Sequence, residues 1–150
     1  MNYTYEDFEA GVDHICNNIM SIENPFDRVV GITRGGLFLA TRLSYKLGLP
    51  LTAVQWSTRD SNETETVAWI PEDINNGQHI LLVDDIIDGG QTMKEIIENW
   101  EGCIPEPLDR NNLSIACCVL NTDQDIMPDF WHKTIERNKD SSWINFWWEK

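Results

Sequence analysis

Positive charge is scarce in this chain. Its 150 residues hold 11 lysines and arginines against 25 aspartates and glutamates, a formal net charge of −14 at pH 7. A general basic surface for nucleic acid is therefore missing, which argues against DNA or RNA as a partner. Solubility accounts for most of the acidity. Long apolar runs are also missing. None approaches the roughly 20 residues of a membrane-spanning helix, and the start, MNYTYEDFEAG, has neither the basic segment nor the apolar core of a secretory signal. The chain reads as soluble, cytoplasmic and without a membrane partner. Cys16, Cys103, Cys117 and Cys118 form no C-x-x-C pair, and His14, His79 and His132 do not lie at metal spacing from them. Cys117 and Cys118, in the apolar run LSIACCVL, read as core thiols. There is no G-x-x-x-x-G-K-[ST] and no G-x-G-x-x-G, so P-loop nucleotidases and dinucleotide folds are set aside. A receiver domain would want its acidic residues early in the chain and a separate phosphoacceptor aspartate and lysine later, which this order does not supply.

What the chain does contain is concentrated in Ile80 to Thr92, ILLVDDIIDGGQT. Ile80 to Val83 suit a strand buried on both faces of a parallel sheet. Asp84 and Asp85 follow where such a strand would emerge, and strand alternation predicts that their side chains flank the strand end rather than stack. After Gly89 and Gly90, the spacing of Met93, Ile96, Ile97 and Trp100 predicts an amphipathic helix. A helix start beyond a strand end is a natural phosphate site. A second strand–turn–helix junction, Thr33-Arg34-Gly35-Gly36-Leu37, adds an arginine suited to phosphate oxygens.

The remaining elements predict one α/β domain over residues 1–150. Thr4 caps a helix to about Met20. Strands follow at Arg28–Thr33 and Leu51–Trp56, with a helix at Leu37–Leu47 stopped by Gly48 and Pro50. Ser57 to Asn76 is polar and reads as a mobile hairpin or loop. Gly102 to Asn112 is a connector, Leu113 to Leu120 a fourth strand, and the tail carries Phe130, Trp131, Trp143, Phe146, Trp147 and Trp148, an aromatic density that requires burial. The β, α, β, hairpin, β, α, β order implies a parallel sheet with helices on its faces.

VDDIIDGGQT resembles the ribose-phosphate binding motif of type I phosphoribosyltransferases. ITRGGL, Ile32 to Leu37, is similar to the pyrophosphate loop of the purine branch, and SSWINFWWE, Ser141 to Glu149, to the tail that closes over the base there. The resemblance implies an α/β parallel sheet flanked by helices, with a small C-terminal hood and a flexible loop. It implies transfer of a phosphoribosyl group from phosphoribosyl pyrophosphate to a 6-oxopurine, with Mg2+ as cofactor, in a homo-oligomer, dimer or tetramer. By the same resemblance Asp84 and Asp85 hold the ribose hydroxyls and the metal, Asp88 is the general base near the purine N7, and Gly89, Gly90, Gln91 and Thr92 cradle the 5′-phosphate. Arg34 and Gly35 contact pyrophosphate, Trp143 stacks on the base, Ile144 reads its edge, and the loop with Ser57 and Arg59 closes over the reaction. Three departures stand out. The usual turn D-T-G-G-T is here D-G-G-Q-T; the tail has Trp147 where the pattern has proline; and no lysine follows the fourth strand, where Cys118-Val119-Leu120-Asn121 leaves Asn121 as the donor toward the base O6. A non-catalytic ligand-binding regulator on the same fold, and a transferase for another base, are the alternative readings.

Overall fold

The computed structural model describes residues 1–56 and 68–150. Its elements are β1 (Asn2–Tyr3), α1 (Tyr5–Ser21), β2 (Arg28–Thr33), α2 (Gly36–Leu47), β3 (Leu51–Gln55), α3 (Trp69–Asn75), β4 (Ile80–Ile87), α4 (Gln91–Gly102), β5 (Leu113–Asn121), β6 (Phe130–Ile135) and β7 (Asn145–Phe146), with 3-10 turns at Arg110–Asn112 and Trp147–Glu149. Five strands form one parallel sheet in the order β3-β2-β4-β5-β6. β4 lies at its centre, as its apolar run requires. Its residues alternate between two cores: Leu81 and Val83 pack with α1, α2 and the tail, while Ile80, Leu82 and Ile87 pack with α3 and α4. No helix among the described residues is long and apolar enough to cross a membrane.

The helix ends follow the local chemistry. The Thr4 hydroxyl accepts from the Asp7 backbone N–H at 3.1 Å, and the Asp7 carboxylate accepts from the Thr4 N–H at 3.0 Å, a reciprocal cap on α1. Asp7 also accepts from Lys133 of β6 at 2.7 Å, and that bond, ahead of the Thr4 contacts, holds its carboxyl down at about 2. α2 stops at Gly48, whose φ of 66° is the left-handed turn that glycine takes without a Cβ penalty.

Four expectations are corrected. The polar stretch ahead of β4 is helical at Trp69–Asn75, where Ile70 and Ile74, one turn apart, are both buried. Residues 57–67, with Ser57 and Arg59, lie outside the described residues. β6 is a fifth strand along the free edge of β5. The tail does more than bury aromatics: β7 pairs in parallel with β1, so the start of the chain clasps its end. Trp148 stacks on Phe146 at 4.7 Å and on Phe38 of α2 at 4.9 Å, which fixes the clasp to the main layer. Finally, β4 runs through Asp84 and Asp85 to Ile87, so the acids lie within the strand rather than after it.

Tyr3 is the core of the clasp. It is fully buried, and its hydroxyl hydrogen-bonds with His132 Nδ1 at 2.9 Å. Tyr3→Ala should cost about 3–5 kcal/mol in urea denaturation, as large aromatic truncations do, and Tyr3→Phe about 1 kcal/mol. A cost for Tyr3→Ala no greater than that for Tyr3→Phe would show the clasp to be decorative.

Candidate functional site

The order in which strands are added reverses between β2 and β4: β3 extends one edge, β5 and β6 the other. Crevices beyond the carboxyl ends of strands at such a reversal are where open α/β sheets bind ligands. The β2–β4 ladder ends at Gly31 and Val83, and the Arg34-Gly35-Gly36 turn crosses β4 just beyond. The Thr33–Arg34 peptide bond is cis. The turn touches β4 so closely that side chains are excluded. A Cβ on Gly36 would sit 2.6 Å from the Val83 carbonyl oxygen, and one on Gly35 would sit 1.9 Å from Asp85 Oδ2. At Gly36 the neighbour is backbone and glycine is a requirement of the approach, while at Gly35 a Cβ would displace the Asp85 carboxylate. Arg34 itself is exposed.

The turn presses on a pair of acids. Asp84 Oδ1 accepts the Asp85 backbone N–H at 2.9 Å and Asp85 Oδ1 that of Ile86 at 2.8 Å, so each carboxyl is turned back onto the residue that follows it. Burial, and then the charge of Asp85, push the Asp84 carboxyl well above the usual carboxylate range. Burial also raises Asp85, and the charge of Glu149 adds to it. Both shifts favour the protonated carboxyl over the carboxylate. Among the described residues no group of three or more histidines, cysteines or acids is arranged to hold a metal. Asp84 and Asp85 supply hard oxygen donors, the ligand type that Mg2+ takes.

Asp88 lies three residues on, and the structure surrounds it with partners that the sequence motifs do not announce. Arg137 donates from Nε to Asp88 Oδ1 and from Nη2 to Oδ2, both at 2.9 Å. Asn121, 5% exposed, donates from Nδ2 to the Asp88 carbonyl at 2.9 Å and accepts on Oδ1 from the backbone N–H groups of Asp123 and Arg137. Asn121 was the expected donor to a base; its amide is instead committed to positioning Asp88. Arg137 follows β6, an edge strand the sequence pattern does not reveal, and its one signal is that it is a cation near the tail.

The Asp88–Gly89–Gly90 turn opens α4. Gly90 takes φ 77°, and a Cβ there would meet Gln124 Oε1 at 2.8 Å. Gly89 has nothing within 4 Å of a Cβ, so space does not demand glycine there. No side chain caps α4, which leaves the backbone N–H groups of its first turn to an anion. Thr92 is half-buried in that turn, while the exposed Gln91 donates its side-chain amide to Glu95 at 3.0 Å. Trp143 is 60% exposed and so is not core, whereas Ile144 beside it is buried. Both line a recess of about 310 Å³ with Asp85, Ile86, Asp88, Arg137, Phe146 and Glu149. A larger recess of about 700 Å³ between α1 and α2 has mainly aromatic and aliphatic walls and reaches the site only at Thr33 and Arg34. The smaller one holds the carboxylates Asp85, Asp88 and Glu149 together with Arg137 and is the candidate site.

The family model described as phosphoribosyl transferase domain matches residues 3–149. An orotate phosphoribosyltransferase of Sulfurisphaera tokodaii is 32% identical over 67% of this chain and 49% of its own length. A transcriptional regulator, GfcR, of Methanococcus maripaludis is 32% identical over 59% of this chain and 43% of its own length. A xanthine-guanine phosphoribosyltransferase of Gluconobacter oxydans is 24% identical over 97% of this chain and 82% of its own length. The chain thus spans about half the length of the first two relatives. Among solved structures, a purine phosphoribosyltransferase from Pyrococcus horikoshii shares the fold with a TM-score of 0.75 at 24% identity, over 100% of this chain and 94% of that one.

The raised Asp84 and Asp85 carboxyls give a pH dependence whose sign can be measured. Both hold their protons to higher pH in the native chain than in the unfolded one, which releases them near pH 4. Stability therefore falls as pH rises from about 4 through the raised native range. Asp84→Asn should raise Tm at pH 8 by roughly 2–4 °C, the shift that about 1 kcal/mol makes in a chain of this size, and should flatten the pH dependence of Tm above pH 4. A lower Tm at pH 8 with an unchanged pH slope would contradict the raised Asp84 carboxyl.

Proposed function

Because this chain belongs to the phosphoribosyltransferase family, we propose that it transfers the 5-phosphoribosyl group of phosphoribosyl pyrophosphate to a 6-oxopurine, releasing pyrophosphate. The observation that carries this reading is the meeting, at one strand end, of an acid pair, a glycine turn pressed against it, an uncapped helix start and a separate carboxylate, Asp88.

In the reaction the C1–oxygen bond to pyrophosphate breaks with its electron pair leaving on pyrophosphate. The purine N9 lone pair forms the new C1–N9 bond, and the N7 proton passes to Asp88. The first-turn N–H groups of α4 and the Thr92 hydroxyl hold the 5′-phosphate. Gly35 and Arg34 lie where pyrophosphate departs. Asp84 and Asp85 bind the ribose hydroxyls and, directly or through water, Mg2+, and their negative charge favours the positive charge that grows on the ribose. Mg2+, when bound, neutralises the leaving pyrophosphate. Trp143 offers an exposed aromatic face to the base, and the tail around Ile144 and Phe146 covers it from water.

A second reading has support in the regulator among the relatives: a protein that binds the same ligands without turnover. Pyrophosphate release with Mg2+, phosphoribosyl pyrophosphate and each of hypoxanthine, guanine, xanthine, adenine and orotate separates the two. Release with a 6-oxopurine supports the transferase. Ligand binding with no release from any base would establish the regulator instead.

Asp88→Asn should lower kcat by roughly 10²–10⁴-fold, as loss of a general base does; turnover within threefold of the parent would remove Asp88 from its role. Gly89→Thr should be accommodated, since the site is open and Gly89 is not among the positive-φ residues. It should lower the KM for phosphoribosyl pyrophosphate by roughly tenfold, the effect of one hydrogen bond to a charged group. An unchanged KM with the fold intact would place the phosphate elsewhere.

A further inference from the structure

The recess beside Asp88 holds a guanidinium whose hydrogen bonds are only partly spent. Arg137 uses Nε and one Nη2 hydrogen on Asp88 and one Nη1 hydrogen on the Ser142 carbonyl. An arginine has five such N–H donors, so one hydrogen on each Nη is uncommitted among the described residues. Asp88 Oδ1 also accepts from Asn121 Nδ2 at 3.5 Å, so of the roughly four acceptor positions of a carboxylate one is left, on Oδ2. An available acceptor and an available donor thus stand side by side on the wall that faces Trp143 and Ile144. The pair is 46% exposed at the Asp88 side chain and 22% at Arg137, open enough to meet a ligand and buried enough to matter. Asn121 holds both partners in register, through the Asp88 carbonyl and the Arg137 backbone N–H.

The edge of a purine that reads this wall carries N7 and the substituent on C6. In the N7–H form of a 6-oxopurine that edge is a donor beside an acceptor, the complement of Asp88 beside Arg137. A 6-aminopurine presents an N–H where Arg137 also presents an N–H. Two donors face each other, and at least one is left unpaired on closure. We propose that Arg137 is the specificity-determining residue for the base, donating to the exocyclic oxygen on C6 while Asp88 takes the N7 proton. The proposal rests on the phosphoribosyl-transfer reading and adds to it the residue that selects the base. A hydrogen bond from a charged donor is worth roughly 10–100-fold in discrimination.

The test is the ratio of kcat/KM for hypoxanthine to that for adenine, measured with Mg2+ and phosphoribosyl pyrophosphate on the full chain and on Arg137→Gln and Arg137→Lys. The parent should prefer hypoxanthine. Arg137→Gln should lower that ratio by roughly 10–100-fold, and Arg137→Lys, which keeps a charged donor but loses the fork, should recover most of it. Thermal denaturation of each variant tells lost fold from lost recognition. If Arg137→Gln lowers both activities together and leaves the ratio within twofold, Arg137 only braces Asp88 and the proposal falls. Preference of the parent for adenine or orotate overturns it as well. If the parent turns over no base, the transferase reading fails separately, and calorimetry with IMP and AMP decides this one: a preference for IMP that Arg137→Gln abolishes supports it, and equal affinities overturn it.

Discussion

The site depends on two carboxyl groups held against a glycine turn. Asp84 and Asp85 are consecutive within β4, each accepting the backbone N–H of the next residue, and Gly35 approaches Asp85 so closely that an added Cβ would overlap its carboxyl oxygen. Burying one carboxylate beside another is unfavourable, which pushes both carboxyls above the usual range. The central strand supplies the rigidity. β4 is bonded to β2 as far as Val83 and to β5 as far as Ile87, so the acids stand where one neighbour has left and the other remains. That asymmetry opens the crevice and still holds its floor. The same departure of β2 frees the chain at Thr33 to turn over β4, which brings Arg34 to the rim.

Asp88 is positioned by a different means. It lies past the end of the strand, where the backbone is no longer held by a ladder, and three residues from other elements fix it. Asn121 ends β5, and Arg137 and Ser142 belong to the segment that leads from β6 to the tail. The buried Asn121 amide is the stiff part of this network, with Oδ1 accepting two backbone N–H groups and Nδ2 donating to the Asp88 carbonyl. The tail is in turn clasped by β1, so the wall that carries Trp143 and Ile144 is anchored through both ends of the described chain.

The parts of this architecture that the sequence reveals are those set by local rules. The apolar run Ile80–Val83, the Thr4 cap, the Gly48 stop and the i, i+3, i+4, i+7 face of α4 each need only neighbouring residues to be read, and they place Asp84, Asp85, Asp88 and both glycine turns correctly along the chain. What escapes is set by distant contacts. β6, FWHKTI, mixes aromatic and charged residues because an edge strand is bonded on one side and half exposed, so no alternation marks it. β1 and β7 are two residues each and exist only as each other's partner. α3 buries only Ile70, Pro71 and Ile74, too few to stand out beside its polar neighbours. Arg137 is illegible for the same reason as β6. The family pattern has a lysine directly after β5, where this chain has Asn121, and the fold places Arg137, beyond β6, beside Asp88.

The charge of the chain makes the site's anion chemistry local. Of its cations, Arg42, Lys46, Lys133, Arg137 and Lys139 are already paired with acids, and Arg34 at the crevice has no ion pair among the described residues. Charges farther than about 8 Å are screened at physiological salt, so the net charge of −14 matters less than what stands within that distance. There the acids Asp84, Asp85, Asp88 and Glu149 outnumber Arg34 and Arg137. Anion binding beside so many carboxylates therefore depends on donors that carry no counter-acid, the backbone N–H groups at the start of α4 and Arg34. The proposed Mg2+ would add positive charge beside the acid pair, where burial and the neighbouring charge already disfavour ionisation.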